Sequence, residues 1–170
     1  ILLIHNIILT IGGIPLIYLG DEVGTLNDYS YREDPEKSDD SRWVHRIPAD
    51  RHLYDQRHDP QTVPGRIYHG LRNLIHRRKN EPLFSGDLPI FIDCRNPHVF
   101  GYVRRAGHRQ IVLLNNFSDF EQTISSNALR LSGLGSEFFD ILSDEKYSLE
   151  ENLTLKPFQF LWLRDALSES

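Results

Sequence analysis

The stretch Gly13-Ile14-Pro15-Leu16-Ile17-Tyr18-Leu19-Gly20-Asp21-Glu22 decides how this chain is read. Its centre is a continuous apolar run closed by glycine, without polar alternation, and such a run suits a parallel strand covered on both faces. Pro15 has no N–H to give to a ladder, so it belongs at the start of that strand. Upstream, residues 1–11 have helical length and bulk but no polar face, the pattern of a helix enclosed between a sheet and further protein. Gly12-Gly13 ends it. Helix, glycine turn and buried strand in that order make an α/β unit, as in a barrel or a doubly wound sheet.

Downstream of Glu22 the pattern dissolves. Residues 21–63 show no hydrophobic period and form a loop of about forty residues, a length that compact domains keep mainly for functional segments. Tyr29, Tyr31, Trp43 and Tyr54 argue that this loop is ordered, because disordered segments are poor in aromatics. Helical signals return at Pro64, with Ile67, Tyr68, Leu71, Leu74 and Ile75 in one stripe, and Asn80-Glu81-Pro82 stops the helix. Its end, His76-Arg77-Arg78-Lys79, complements the helix dipole and reads as a solvated terminus. Short β-type runs follow at residues 88–92, 99–104, 110–115, 122–125, 138–142, 153–155 and 158–163, the spacing of an antiparallel sandwich or a related module. In the last run Phe158, Phe160 and Trp162 share one face, expected to lie in the core. The α/β part and the β part divide near residues 80–88.

The composition agrees with a soluble globular protein: 170 residues, 39% hydrophobic and 25% charged. A formal charge of −5 gives the chain no electrostatic attraction to nucleic acid or anionic lipid. The opening apolar run is too short for a membrane span, is interrupted by His5 and Asn6, and has no basic leader or cleavage site. Neither a membrane nor a nucleic-acid partner is expected, and the compartment is left open. Cys94 is the only cysteine, so no disulfide forms within the chain. Methionine is absent even at position 1, and the chain is expected to be a piece of a longer protein.

Asp21 and Glu22 follow the carboxyl end of the expected strand, where α/β barrels place their sites. Adjacent carboxylates on an extended chain point in different directions, whereas glycosidic chemistry needs two that flank one bond. Loop anchoring and pocket lining both remain open for them. Arg42, within Lys37-Ser38-Asp39-Asp40-Ser41-Arg42-Trp43, offers a planar fork of donors suited to a carboxylate or a hydroxyl-rich ligand. The alternative is a surface ion pair with Asp39 or Asp40. His45, His52 and His58 match no zinc spacing. No EF-hand, P-loop, dinucleotide fingerprint or Gly-x-Ser-x-Gly elbow occurs, so neither metal nor cofactor is expected.

The run from Gly13 to Gly24 resembles the eighth barrel strand of the α-amylase superfamily, glycoside hydrolase family 13. Through Thr25-Leu26-Asn27-Asp28, residues 37–43 and Tyr54-Asp55-Gln56-Arg57-His58-Asp59-Pro60 the chain is similar to the amylosucrase and sucrose hydrolase group of that family. The resemblance implies an α+β fragment. Residues 1–82 would be the last helix, strand, loop and helix of a (β/α)8 barrel, and residues 83–170 an antiparallel, sandwich-like C-terminal β domain. It further implies that Arg42 pairs with an aspartate from an early barrel loop and closes the glucosyl end of the pocket, with Asp21 and Asp40 as further candidate substrate contacts. The family's nucleophile, acid and stabilising carboxylates come from strands four, five and seven, which would precede Ile1. No catalytic residue is therefore expected in this chain, and residues 1–80 would need the missing barrel in order to fold. The complete protein would transfer glucose from sucrose to an α-glucan or to water. A non-catalytic carbohydrate-binding or structural β module is the alternative.

Overall fold

The computed structural model describes residues 1–131 and 133–165. By internal contact the chain forms two units. One holds residues 2–16 together with the chain from residue 73 onward, and the other holds residues 17–72 with Ile1. This grouping differs from a division at residues 82 and 83, because the first helix belongs with the strands.

The β unit contains β1 (Ile90–Ile92), β2 (Val99–Ala106), β3 (Arg109–Asn116), β4 (Gln122–Ile124), β5 (Glu137–Asp140), β6 (Glu145–Ser148), β7 (Leu153–Leu155) and β8 (Phe160–Asp165). Six strands form one sheet in the order β1-β2-β3-β8-β5-β6, and β4 pairs with β7 in a second. Every pairing is antiparallel. β3 and β8 lie centrally and are buried on both faces, which is why 111–114 reads Ile-Val-Leu-Leu rather than alternating. On one face Val112, Leu114, Leu161 and Leu163 pack with Ile124, Leu129, Leu153 and Leu155. On the other, Ile111, Leu113 and Trp162 pack with Leu9, Leu74, Leu83 and Phe84. Of the three aromatics expected in the core, Trp162 is buried and Phe160 half-buried. Phe158 precedes the strand, is exposed and has a left-handed φ of 53°.

Helix α1 (Leu2–Thr10) closes that second face, and buried polar atoms fasten it there. Asn6 accepts the Trp162 indole N–H and donates to the Asn115 side chain. Thr10 Oγ1 bonds the Asn6 carbonyl at 2.7 Å and also meets the Tyr102 hydroxyl. A helix leaves its last carbonyls without partners. Here two guanidiniums reach them: Arg78 donates to the Leu9 carbonyl, and Arg104 Nη1 donates to Thr10 at 3.0 Å. Arg104 is only 1% exposed and also donates to the carbonyls of Phe84 and Gly86. The basic end of α3 (Val63–Lys79) is therefore not wholly solvated, because Arg78 caps a neighbouring helix while Arg77 forks onto Asp144.

Residues 14–19 correct the sequence reading. They form no strand, and Ile14, Leu16 and Leu19 are 97%, 74% and 74% exposed. A parallel strand takes its order from the strands on either side, and among the described residues none pairs with this segment.

The remaining unit takes its order from short-range bonds. Residues 21–63 fold into three short 3₁₀ turns, Asp21–Val23, Ser30–Glu33 and Ser41–His45, and the helix α2 (Arg51–Gln56). Asp28, Asp34, Asp40, Asp50 and Asp59 each accept the backbone N–H two residues further on. A side chain that mimics a backbone turn in this way orders a loop without an apolar period.

Candidate functional site

The site is built outward from Gly20 and Gly24, whose φ values of 103° and 72° bracket the turn Asp21–Val23. The left-handed φ of Gly24 favours glycine at that position, and a Cβ there would also come within 2.5 Å of Ile67 Cδ1, the tip of a side chain that would have to move aside. Glu22 is consumed in holding the turn. It accepts the Gly20 N–H at 2.7 Å and the Tyr54 hydroxyl at 3.0 Å. Burial and then the neighbouring Glu22 carboxylate raise the Tyr54 phenol above its ordinary range. Asp21 accepts the Tyr18 N–H at 3.3 Å.

Asp21 also lines an open hollow of about 590 Å³ with Tyr18, Asn27, Arg42, His45 and Arg46. His45 stands edge-on to Tyr18 with centroids 6.4 Å apart, and its Nδ1 lies 3.3 Å from Asn27 Oδ1. Arg42 grips Asp40 with two teeth, Nε to Oδ1 at 2.8 Å and Nη2 to Oδ2 at 2.9 Å. The Arg42 side chain is 72% exposed even so. Oδ1 of Asp40 additionally accepts the Arg42 backbone N–H at 3.0 Å. The Arg42 guanidinium, then its backbone N–H, hold the Asp40 carboxyl down to about 2.

Beyond Asp40 the loop is stiffened by a row of charges and one ring. Arg46 Nη1 lies 3.7 Å from Asp40 Oδ2, and its guanidinium stands over Trp43 at 5.4 Å. The Lys37 ammonium stands over the same ring at 5.3 Å and pairs with Asp34 at 2.7 Å. Cations over an indole gain from its quadrupole.

Of the three residues expected to contact substrate, Arg42 and Asp21 share one hollow, whereas Asp40 is not among its lining side chains. Tyr18, Asn27, His45 and Arg46 complete the lining, and sequence reasoning passed over them. The signal for His45 and Arg46 was one helical turn of proximity to Arg42, and the histidine was weighed only as a metal ligand. Among the described residues no three His, Cys, Asp or Glu side chains gather as a metal site would require. No described helix is long and apolar enough to cross a membrane. The Cys94 thiol is buried and pushed up to about 11 by that burial, which makes it a poor nucleophile.

Up to Trp162, the antiparallel sheet lies within the part of the chain that is similar to the C-terminal domain of maltogenic amylases. Residues 90–162 match the family described as maltogenic amylase, C-terminal domain. Over 96% of its length the chain is 30% identical to glucosylglycerate phosphorylase of Escherichia coli (strain K12). It spans 28% of the length of that curated relative. A solved trehalulose synthase mutant, in complex with Tris, superposes with a TM-score of 0.69 at 18% identity, covering 96% of this chain and 38% of that one. Cyclic α-maltosyl-(1→6)-maltose hydrolase from Arthrobacter globiformis superposes with a TM-score of 0.62 at 17% identity, covering 97% and 30%. At such identities the structural likeness speaks to the fold.

Proposed function

We propose that this chain is the C-terminal part of an α-retaining glucosyl-transferring enzyme whose reactive carboxylates lie on a preceding barrel, with sucrose as its glucosyl donor. The observation that carries the proposal is the apolar run 14–19, exposed at Ile14, Leu16, Tyr18 and Leu19, which leads directly into the turn bearing Asp21 and the hollow that Arg42 lines. Contiguous exposed apolar side chains of this kind mark a surface meant for other protein, and the missing barrel strands and helices would supply it.

In that reading a barrel carboxylate attacks the anomeric carbon, and the glycosidic bond breaks as a second carboxyl group protonates the departing fructosyl oxygen. The acceptor's oxygen then attacks the same carbon, frees the first carboxylate and returns its proton to the second. This chain's contribution is to orient the glucosyl ring. Arg42 offers several fixed donors to ring hydroxyls or to a carboxylate beside them, and Asp21 offers acceptors.

A second reading concerns the acceptor and is favoured by the phosphorylase among the relatives: inorganic phosphate in place of water or glucan. Sucrose and glucosylglycerate, each incubated with the complete protein in the presence and absence of phosphate, separate these cases. Fructose from sucrose without phosphate supports transfer or hydrolysis. Glucose 1-phosphate formed only with phosphate supports phosphorolysis. Release of neither fructose nor glucose 1-phosphate overturns the glucosyl reading. The 170-residue chain alone is expected to release nothing.

A further inference from the structure

A guanidinium has two edges at which a carboxylate or a pair of hydroxyls is held: the side edge of Nε and one Nη, and the end edge of both Nη atoms. Asp40 occupies the side edge of Arg42 with both carboxylate oxygens. Among the described residues nothing accepts from Arg42 Nη1, although the side chain lines the hollow. Asp40 is itself fixed in two ways that do not involve the Arg42 side chain. Its N–H donates to the Lys37 carbonyl at 2.9 Å, and its Oδ1 caps the turn Ser41–His45 through the Arg42 N–H. Arg46, held over Trp43, brings a second cation toward Oδ2.

We infer that Asp40 is not a substrate contact but a positioning residue, which clamps the side edge of Arg42 so that its end edge is presented to the ligand. This rests on the glucosyl reading above. An unclamped arginine on so exposed a loop would sample many rotamers, and ordering it would then fall to the bound state. The clamp settles the rotamer beforehand. Its worth lies in the orientation of the reacting ring, where small misplacements are costly, rather than in binding alone.

Asp40→Ser separates the clamp from the cap, because a serine still accepts the N–H that begins the turn but offers no second tooth. In the complete protein acting on sucrose, or on whichever donor proves active, this variant is expected to lower kcat/KM by about tenfold, mainly through kcat. Placed on an Arg42→Lys background, the same change is expected to shift kcat/KM by less than about twofold, since a residue acting through another loses its effect once that partner is gone. Asp40→Asn, which keeps the shape, should behave in the same way, with thermal unfolding midpoints serving as the folding control. Wild-type kinetics in Asp40→Ser, or an equal loss in both backgrounds, would overturn the inference. If the unsubstituted complete protein turns over no glucoside, the glucosyl reading falls and this one falls with it.

Discussion

In the β unit Trp162, Tyr102 and Asn115 are fully buried with their polar atoms bonded, whereas in the other unit Leu19, Leu26 and Tyr29 stand largely in water. The first region draws its order from burial on both faces of β3 and β8. The second draws it from aspartates that cap the backbone two residues on and from cations resting over aromatic rings. These two kinds of order fail differently. A packed core loses free energy with every atom removed, while a loop of Asx turns tolerates apolar-to-polar change and is sensitive only where a specific fork is cut.

Trp162→Ala should do the most damage, lowering the stability of the 170-residue chain by about 3–5 kcal/mol or removing its cooperative transition altogether. Urea unfolding followed by far-UV circular dichroism measures this, and a loss below about 1 kcal/mol would break the picture of a doubly covered centre. Arg42→Lys should leave that transition unmoved yet lower glucosyl turnover by the complete protein at least about a hundredfold, because a point charge does not reproduce the fork. Near-normal kinetics would remove Arg42 from the site. Asn6→Ala comes next, at about 1–3 kcal/mol, since it strands the Trp162 N–H and the Asn115 amide in the core. Leu16→Ser should change the stability of this chain by no more than about 0.5 kcal/mol. The same substitution in the complete protein sharpens the contrast, for there the side chain would be covered and its loss felt. The smallest effect is one of pH. The Arg42 guanidinium and backbone N–H make folded Asp40 a stronger acid than its ordinary 3.8, so the fork is fully present above that value and is lost as pH falls to about 2. A carboxyl carbon-13 titration midpoint close to 4 would deny the clamp.

Much of the β unit was legible because its strands announce themselves. The apolar runs 111–114 and 153–155 and the helical stripe Ile67–Leu71–Leu74 fell where β3, β7 and α3 are found. β6 (Glu145–Ser148) was missed because it is a polar edge strand, and α4 (Ser126–Leu131) because two turns of helix are too short for a period to declare itself. The run 14–19 misled for the opposite reason. An unbroken apolar run reads as a strand covered on both faces, but among the described residues no strand lies beside this one, so it has no ladder to join. Asn6 was unreadable in advance, since a lone amide in an apolar helix gives no hint that an indole 156 positions away will donate to it. At the site, chemistry singled out Arg42 and the charge pattern named its partner among two aspartates. Geometry was needed to show that Asp40, not Asp39, takes the fork.

The tether formed by Asn6, Arg78 and Arg104 also bears on how this module can be moved between proteins. The matched borders 90–162 suggest a portable cassette, yet excision there would keep the Trp162 donor and leave its acceptor behind on residue 6. Topologically, the polypeptide starts its β unit at residue 2, departs at 16 on a long excursion and resumes at 73. A graft that respects this would retain α1 and replace the excursion with a flexible bridge.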